Sequence, residues 1–188
     1  MDTNKLVIGL AGMPGAGKSL VVEAAQQEGY AVVVMGDVIR EETQKRGVPL
    51  TPKNIGKVML ELRKTYGNNV IAEKCVPKIL QHESRKVIVD GLRSMYEAEV
   101  FKVNFAKFSL MAVHASPEIR FNRLNRRGRS DDPDRWEVFQ ERDAREIGVG
   151  LGYVIAVADY LIINENSREK AQVKAKETLR RVEEKWMK

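Results

Sequence analysis

The chain has a single cysteine, Cys75, and two histidines among its 188 residues. A lone thiol cannot close an internal disulfide, and so small a stock of Cys and His makes no zinc site. The absence of disulfides fits a reducing cytoplasm, with Cys75 as a small core residue on a helix. Any metal should therefore be a hard cation that arrives with phosphates. Aromatic residues make up only 6%, and no basic–aromatic RNA-binding motif is present. No apolar run approaches the roughly 18 residues of a membrane span. Met1-Asp2-Thr3-Asn4-Lys5 leads straight into an apolar run, so no signal peptide is expected and the predicted location is cytoplasmic. There is no internal repeat and no Lys/Arg-rich tail. The last lysines alternate with glutamates, as on a solvated helix face.

What is present fits one domain with a full core. The net charge of +6 asks for an anionic partner, either a polyphosphate or a nucleic acid. Residues 12–19 read Gly12-Met13-Pro14-Gly15-Ala16-Gly17-Lys18-Ser19, a full match to the phosphate-loop pattern G-x-x-x-x-G-K-[ST]. An apolar run over 6–11 precedes it and Leu20-Val21-Val22-Glu23-Ala24-Ala25 follows, giving strand, loop and helix in the required order. The glycines allow backbone N–H groups to turn inward, and the helix N-terminus adds its positive end. Lys18 can reach the β- and γ-phosphates of a nucleoside triphosphate, and the Ser19 hydroxyl can ligate Mg²⁺. The expected donor is ATP with Mg²⁺.

Short apolar runs recur at 6–11, 31–35, 86–90, 108–114 and 160–163, separated by helical stretches. That alternation predicts an α/β fold of three layers, a five-stranded parallel sheet with helices on both faces. Ligands should sit at the strands' carboxyl ends, where Gly12–Ser19, Gly36-Asp37 and Asp90-Gly91 all fall. Two segments interrupt the core of 1–36, 82–127 and 148–188. Residues 37–81 carry apolar residues at helical spacing, with breaks at 48–52 and 67–69, and read as a helical insertion. Residues 128–147 begin with the polar loop Gly128-Arg129-Ser130-Asp131-Asp132-Pro133-Asp134 and read as a short lid. Val87-Ile88-Val89-Asp90 is an apolar strand ending in a carboxylate, placing Asp90 to hold a Mg²⁺-bound water beside Lys18.

The phosphate loop, then Gly36-Asp37-Val38-Ile39-Arg40, then Asp90-Gly91-Leu92-Arg93 resembles the adenylate kinase group of nucleoside monophosphate kinases. The sequence is also similar throughout to an archaeal family described as adenylate-kinase-related. Ala158-Asp159-Tyr160-Leu161-Ile162-Ile163-Asn164 resembles the last strand of nucleotide and dephospho-coenzyme A kinases, after which the chain passes near the donor base. The resemblance implies a P-loop phosphotransferase with strand order 2-3-1-4-5, in which the helical insertion binds the acceptor. Arg40 and Arg93 would hold the acceptor's phosphate and Asp37 would order the Mg²⁺ shell. It also implies that lid arginines close on the transferring phosphoryl, with Arg123, Arg129, Arg142 and Arg145 best placed. Arginine suits this work because its planar fork donates two parallel bonds to phosphate oxygens. Helical pairing of Arg142 with Glu146, or of Glu141 with Arg145, is the competing reading of these side chains.

The departures from the family pattern are Leu20 after the loop and a missing proline before Arg93. Glu97 falls where adenylate kinases carry the Gln that reads AMP. An ionised Glu accepts but cannot donate, so Glu97 would suit two adjacent donors, as on guanine, better than adenine; otherwise it is a solvated residue near Lys102. The leading expectation is transfer of the ATP γ-phosphoryl group to a small anionic acceptor, a nucleoside monophosphate. Two alternatives stay open: dephospho-coenzyme A kinase-like transfer to a hydroxyl, with Asp37 as base, and an ATPase switch working with RNA or protein. Oligomeric state is not legible.

Overall fold

The computed structural model describes residues 4–129 and 132–186. Met1, Asp2 and Thr3 of the leading segment, and Ser130 and Asp131 of the polar loop, lie outside the described residues. Five strands form one sheet: β1 (Leu6–Ala11), β2 (Ala31–Val34), β3 (Lys86–Asp90), β4 (Lys107–His114) and β5 (Tyr160–Ile163). All pairings are parallel and the order is β2-β3-β1-β4-β5. The expected α/β architecture and strand order are those observed. Central strands of such a sheet are covered on both faces, which is why they read as unbroken apolar runs rather than alternating ones.

Alternate residues of β1 face two cores. Val7 and Ala11 join the layer under α2 (Met35–Lys45), α3 (Pro52–Tyr66), α4 (Val70–Gln81), α5 (Met95–Asn104) and α8 (Leu151–Ala156). Leu6, Ile8 and Leu10 face α1 (Lys18–Gln27) and α9 (Arg168–Trp186). On α9, Ala171, Ala175, Leu179 and Val182 are buried at helical spacing, and Trp186 Nε1 donates to Ser109 Oγ at 2.8 Å. Cys75 is buried in the first layer, and burial pushes its thiol up to about 12, so it is chemically quiet. Among the described residues no helix is long and apolar enough to cross a membrane.

Residues 35–81 are helical throughout apart from two breaks. α2 starts at Met35 with no loop after β2, so Gly36 and Asp37 lie in its first turn. Thr51 Oγ1 caps α3 by accepting from Asn54 N at 3.2 Å, as a threonine before a helix should. Ion pairs between Lys78 and Glu41 (2.5 Å) and between Lys74 and Glu42 (3.2 Å) tie α4 to α2. At the other end, α6 (Pro117–Arg127) and α7 (Trp136–Val149) flank the polar loop, and Gly150 ends α7 in a left-handed turn. Phe121 of α6 packs against Trp136 and Phe139 of α7, with ring centroids 5.4 and 5.6 Å apart. That aromatic cluster sets the angle between the two helices over the sheet's carboxyl edge.

Candidate active site

The loop after β1 is pressed against the ends of β4 and β5. Gly17, the N-cap of α1, has φ 97°, and a Cβ there would stand 2.1 Å from Asn164 Nδ2. A Cβ on Gly12 would stand 2.6 Å from the Val113 carbonyl oxygen. Asn164 fixes the loop from behind: its Nδ2 donates to Ala16 O at 2.8 Å and its own amide donates to His114 O at 2.8 Å. Met13 and Ala16 are buried beneath the loop, with Ala16 N donating to Met13 O at 3.0 Å. This leaves Pro14, Gly15, Gly17, Lys18 and Ser19 on the wall of a cavity of about 770 Å³.

Lys18 Nζ donates to the Gly12 carbonyl at 2.7 Å. Burial lowers its pKa, while the carboxylate of Asp90 favours the charged form. Asp90, at the carboxyl end of β3, has its own pKa raised by burial, against the pull of Lys18 and Arg93. Its Oδ1 is buried and has no hydrogen-bond partner among the described residues. A buried carboxylate oxygen left bare is costly, so the position fits a group that receives water or a cation. Ser19 adds a hydroxyl on the same cavity wall. Among the described residues no cluster of three Asp, Glu, His or Cys could hold a metal by itself. The donor set is thus all oxygen and sparse, as for a Mg²⁺ ion carried in with phosphates.

Arg93 also lines this cavity, as do Arg123, Arg129 and Arg142. Arg123 reaches Ala16 O and Asn164 Oδ1, each at 3.4 Å, and burial lowers its pKa. Asp132 gathers the lid: it accepts from Arg127 Nε and Nη2 at 2.8 and 2.5 Å and from Arg129 N at 3.1 Å, and lies 3.6 Å from Arg142. The hydrogen bonds from Arg127 hold its carboxyl below the ordinary value. Gly12 borders a smaller cleft next to the cavity, shared with Lys18, Arg93 and Glu146.

Four of the expected residues stand elsewhere. Asp37 and Arg40 form an ion pair with each other, and both are exposed. Asp37 lines a separate cleft of about 350 Å³ along β2, although Asp90 feels its charge. Neither lines the phosphate-loop cavity. Arg145 is exposed, because the inner stripe of α7 runs through Phe139, Arg142, Asp143 and Glu146. At 100° per residue, position 145 points about a third of a turn away. Phe139 and Arg142 therefore share a face. Glu97 is neither on the cavity wall nor solvated, being 1% exposed. It closes the capping box of α5: its Oε2 accepts from Arg93 N at 2.8 Å and Ser94 N at 3.2 Å, and its Oε1 accepts from Arg63 at 2.9 Å. With both oxygens engaged and the side chain buried off the cavity wall, it braces the Arg93 backbone and does not face a bound nucleobase there.

Sequence reasoning missed Arg120, which is 4% exposed. It donates to Ala115 O at 3.0 Å and Pro14 O at 3.2 Å, forks onto Asp143 at 2.8 and 2.5 Å, and stacks on Phe139 at 4.9 Å. One side chain thereby links the phosphate loop, the start of α6 and the lid helix. Its signal was faint: Arg120 is one turn before buried Leu124, hence on the inward face. Glu146, Asn166 and Arg168, also on the cavity wall, carried no motif that could have singled them out.

Comparison with known proteins gives this geometry a context. Residues 11–140 match the family model described as "AAA domain". The UPF0200 protein of Hyperthermus butylicus is 46% identical over 95% of this chain and 96% of its own length. UPF0200 protein MJ1399 of Methanocaldococcus jannaschii is 48% identical over 87% of this chain and 84% of its own. In shape the chain is similar to TT1252 from Thermus thermophilus, with TM-score 0.64 and 19% identity over 95% of this chain and 98% of that one. It is also similar to the shikimate kinase of Bacteroides thetaiotaomicron, with TM-score 0.60 and 14% identity over 95% and 98%. At such identities the structural likeness speaks for the fold, which is that of P-loop kinases. The sequence likeness goes further: the chain belongs to the UPF0200 family, its AAA domain spanning residues 11–140.

Proposed function

We propose that this protein is a phosphotransferase that passes the γ-phosphoryl group of Mg-ATP to a small anionic acceptor, with nucleoside monophosphates as the acceptor class. The observation that carries the reading is Arg93. It lines the same cavity as Lys18 and Asp90 and as Arg123, Arg129 and Arg142, so that a second anion bound to it would share the cavity with the donor. In this reading the loop amides of 12–19 and Lys18 hold the donor phosphates. Ser19 would ligate Mg²⁺ directly and Asp90 through water; the ion, when bound, neutralises charge on the phosphate oxygens. Arg123, Arg129 and Arg142 meet the charge of the transferring group, and Arg93 aligns the acceptor. A phosphate acceptor is already a nucleophilic oxyanion, so alignment and charge neutralisation suffice without a base. The hydroxyl-acceptor alternative rests on Asp37 as base, and its pairing with Arg40 outside the cavity gives that alternative less support. The site would work in the cytoplasm, where ATP is available.

The test is transfer from γ-labelled ATP, with Mg²⁺, to a panel of nucleoside monophosphates and, separately, to dephospho-coenzyme A. A labelled nucleoside diphosphate is expected. Lys18→Ala should abolish transfer, and Arg93→Ala should raise the acceptor KM while leaving binding of a non-hydrolysable ATP analogue within about threefold. Equal loss of analogue binding in both variants would refute the division of roles. Steady hydrolysis with no labelled acceptor, stimulated by RNA or a protein, would replace this reading with an ATPase switch.

A further inference from the structure

Glu146 lines the cavity beside Arg93, the side chain to which the proposed function gives the acceptor, and nothing in the reading above uses it. Its Oε1 lies 3.4 Å from Arg93 Nη1, and its side chain is 15% exposed against 44% for Arg93. It borders both the large cavity and the small cleft between Gly12, Lys18 and Leu151. A carboxylate of the protein therefore occupies the guanidinium to which the proposed function assigns a second anion. The backbone that carries it is fixed. Asp143, one turn earlier on α7, is locked to buried Arg120, and Phe139 is buried one turn before that. Were the Glu146 side chain to leave Arg93, Arg142, four residues back on the same stripe, has the helical spacing to receive it.

We propose that Glu146 is a specificity-determining residue: it holds Arg93 while the acceptor site is empty and gives way to a phosphate group in preference to weaker ligands. The proposal rests on the phosphotransferase reading for the nature of the second anion. A neutral hydroxyl has no charge with which to displace a carboxylate from a guanidinium. A carboxylate ligand replaces like with like and gains little. A phosphoryl group brings nearly two negative charges and three acceptor oxygens, which suits it to the guanidinium fork. Glu146 thus raises the threshold for occupancy of Arg93 and biases the site towards phosphorylated acceptors.

The test titrates inorganic phosphate and acetate calorimetrically into the full chain, with the phosphate loop filled by Mg²⁺ and a non-hydrolysable ATP analogue. Four proteins are compared: wild type, Glu146→Gln, Arg93→Ala and the double variant. Removing the competing charge should tighten phosphate binding about two- to fivefold, as expected for loss of a partly exposed ion pair. Acetate should become measurable in Glu146→Gln, and both gains should vanish when Arg93→Ala is added. Unchanged phosphate affinity in Glu146→Gln, or a gain that survives Arg93→Ala, overturns the proposal. A loss of kcat with unaltered anion binding would make Glu146 a base and overturn it too. If the titrations behave as expected but no acceptor is phosphorylated by wild type, the phosphotransferase reading falls and the Glu146–Arg93 competition stands.

Discussion

Asn164 carries as much of the phosphate loop as the glycines do, since its amide fills the space that a Cβ on Gly17 would need. Asn164→Ala removes the buried donor to the Ala16 carbonyl, which should cost about 1–3 kcal/mol by urea unfolding and weaken ATP-analogue binding in direct titration. Gly17→Ala should be worse on both measures, because a φ of 97° and a 2.1 Å approach cannot be relieved together. At the same scale, Glu97 shows how one residue can carry two readings in sequence. Alignment with a family motif put it at the acceptor, yet Ser94-Met95-Tyr96-Glu97 also fits the S-x-x-E signature of a capped helix start. The structure has the capping box, because Arg63 and two amides at the start of α5 saturate the carboxylate. Glu97→Ala should therefore lower stability by about 2–4 kcal/mol, as expected when a buried, hydrogen-bonded charge is lost. Acceptor ranking should not change; a switch in preferred nucleobase in a stably folded Glu97→Gln variant would contradict this assignment.

The pair of helices α6 and α7 is held by two carboxylates of different character. Asp143 pairs with Arg120 in the interior, so Asp143→Ala leaves a buried guanidinium uncompensated and should cost about 3–5 kcal/mol. Replacing both partners, as in Arg120→Met/Asp143→Leu, should recover much of that loss in urea unfolding while α7 stays packed on Phe121 through Trp136 and Phe139. Asp132 is covered by Arg127 and Arg142, two of the cavity-lining arginines, and its pKa is held below the ordinary 3.8, first by the hydrogen bonds from Arg127. A depressed carboxyl stabilises the fold fully above its unfolded value and loses that contribution as the pH falls through the lower native one. Asp132→Asn should thus be less stable than wild type near pH 7. The gap should narrow as acid unfolding is followed below pH 3.8, and a gap constant with pH would mean that Asp132 acts by shape alone. None of these ties could be read from residue spacing. Helical periodicity placed Arg120, Arg123 and Arg127 on one side of α6 but could not say that the first is buried and the last faces Asp132. Which side chain is desolvated depends on α7 and the phosphate loop, which are distant in sequence.

At the scale of the whole molecule, the sheet was legible because its strands are buried on both faces and therefore read as compact apolar runs. The only shifts are at β2, which ends at Val34 because α2 begins at once, and at β4, which begins at Lys107. The phosphate loop was legible for a different reason: its glycines and Lys18 answer to backbone geometry and phosphate charge, both local. The acceptor side was not, since it depends on how far α2 stands from β3, and Arg40 ends up with Asp37 rather than at the cavity. Charge was legible only as a total. Among the described residues, seven cationic side chains and two carboxylates, Asp90 and Glu146, line the cavity, an excess of five in a chain of net +6. The imbalance that suggested either a polyphosphate or a nucleic acid is therefore largely concave, and sized for small anions rather than for a duplex or strand. A labelled oligoribonucleotide should bind this protein only weakly, through those same cations, and saturating Mg-ATP should displace it in fluorescence anisotropy. Oligonucleotide binding that persists at saturating Mg-ATP and falls steeply with salt would place a second anionic surface outside the cavity. The ATPase-switch alternative would then gain the partner it requires.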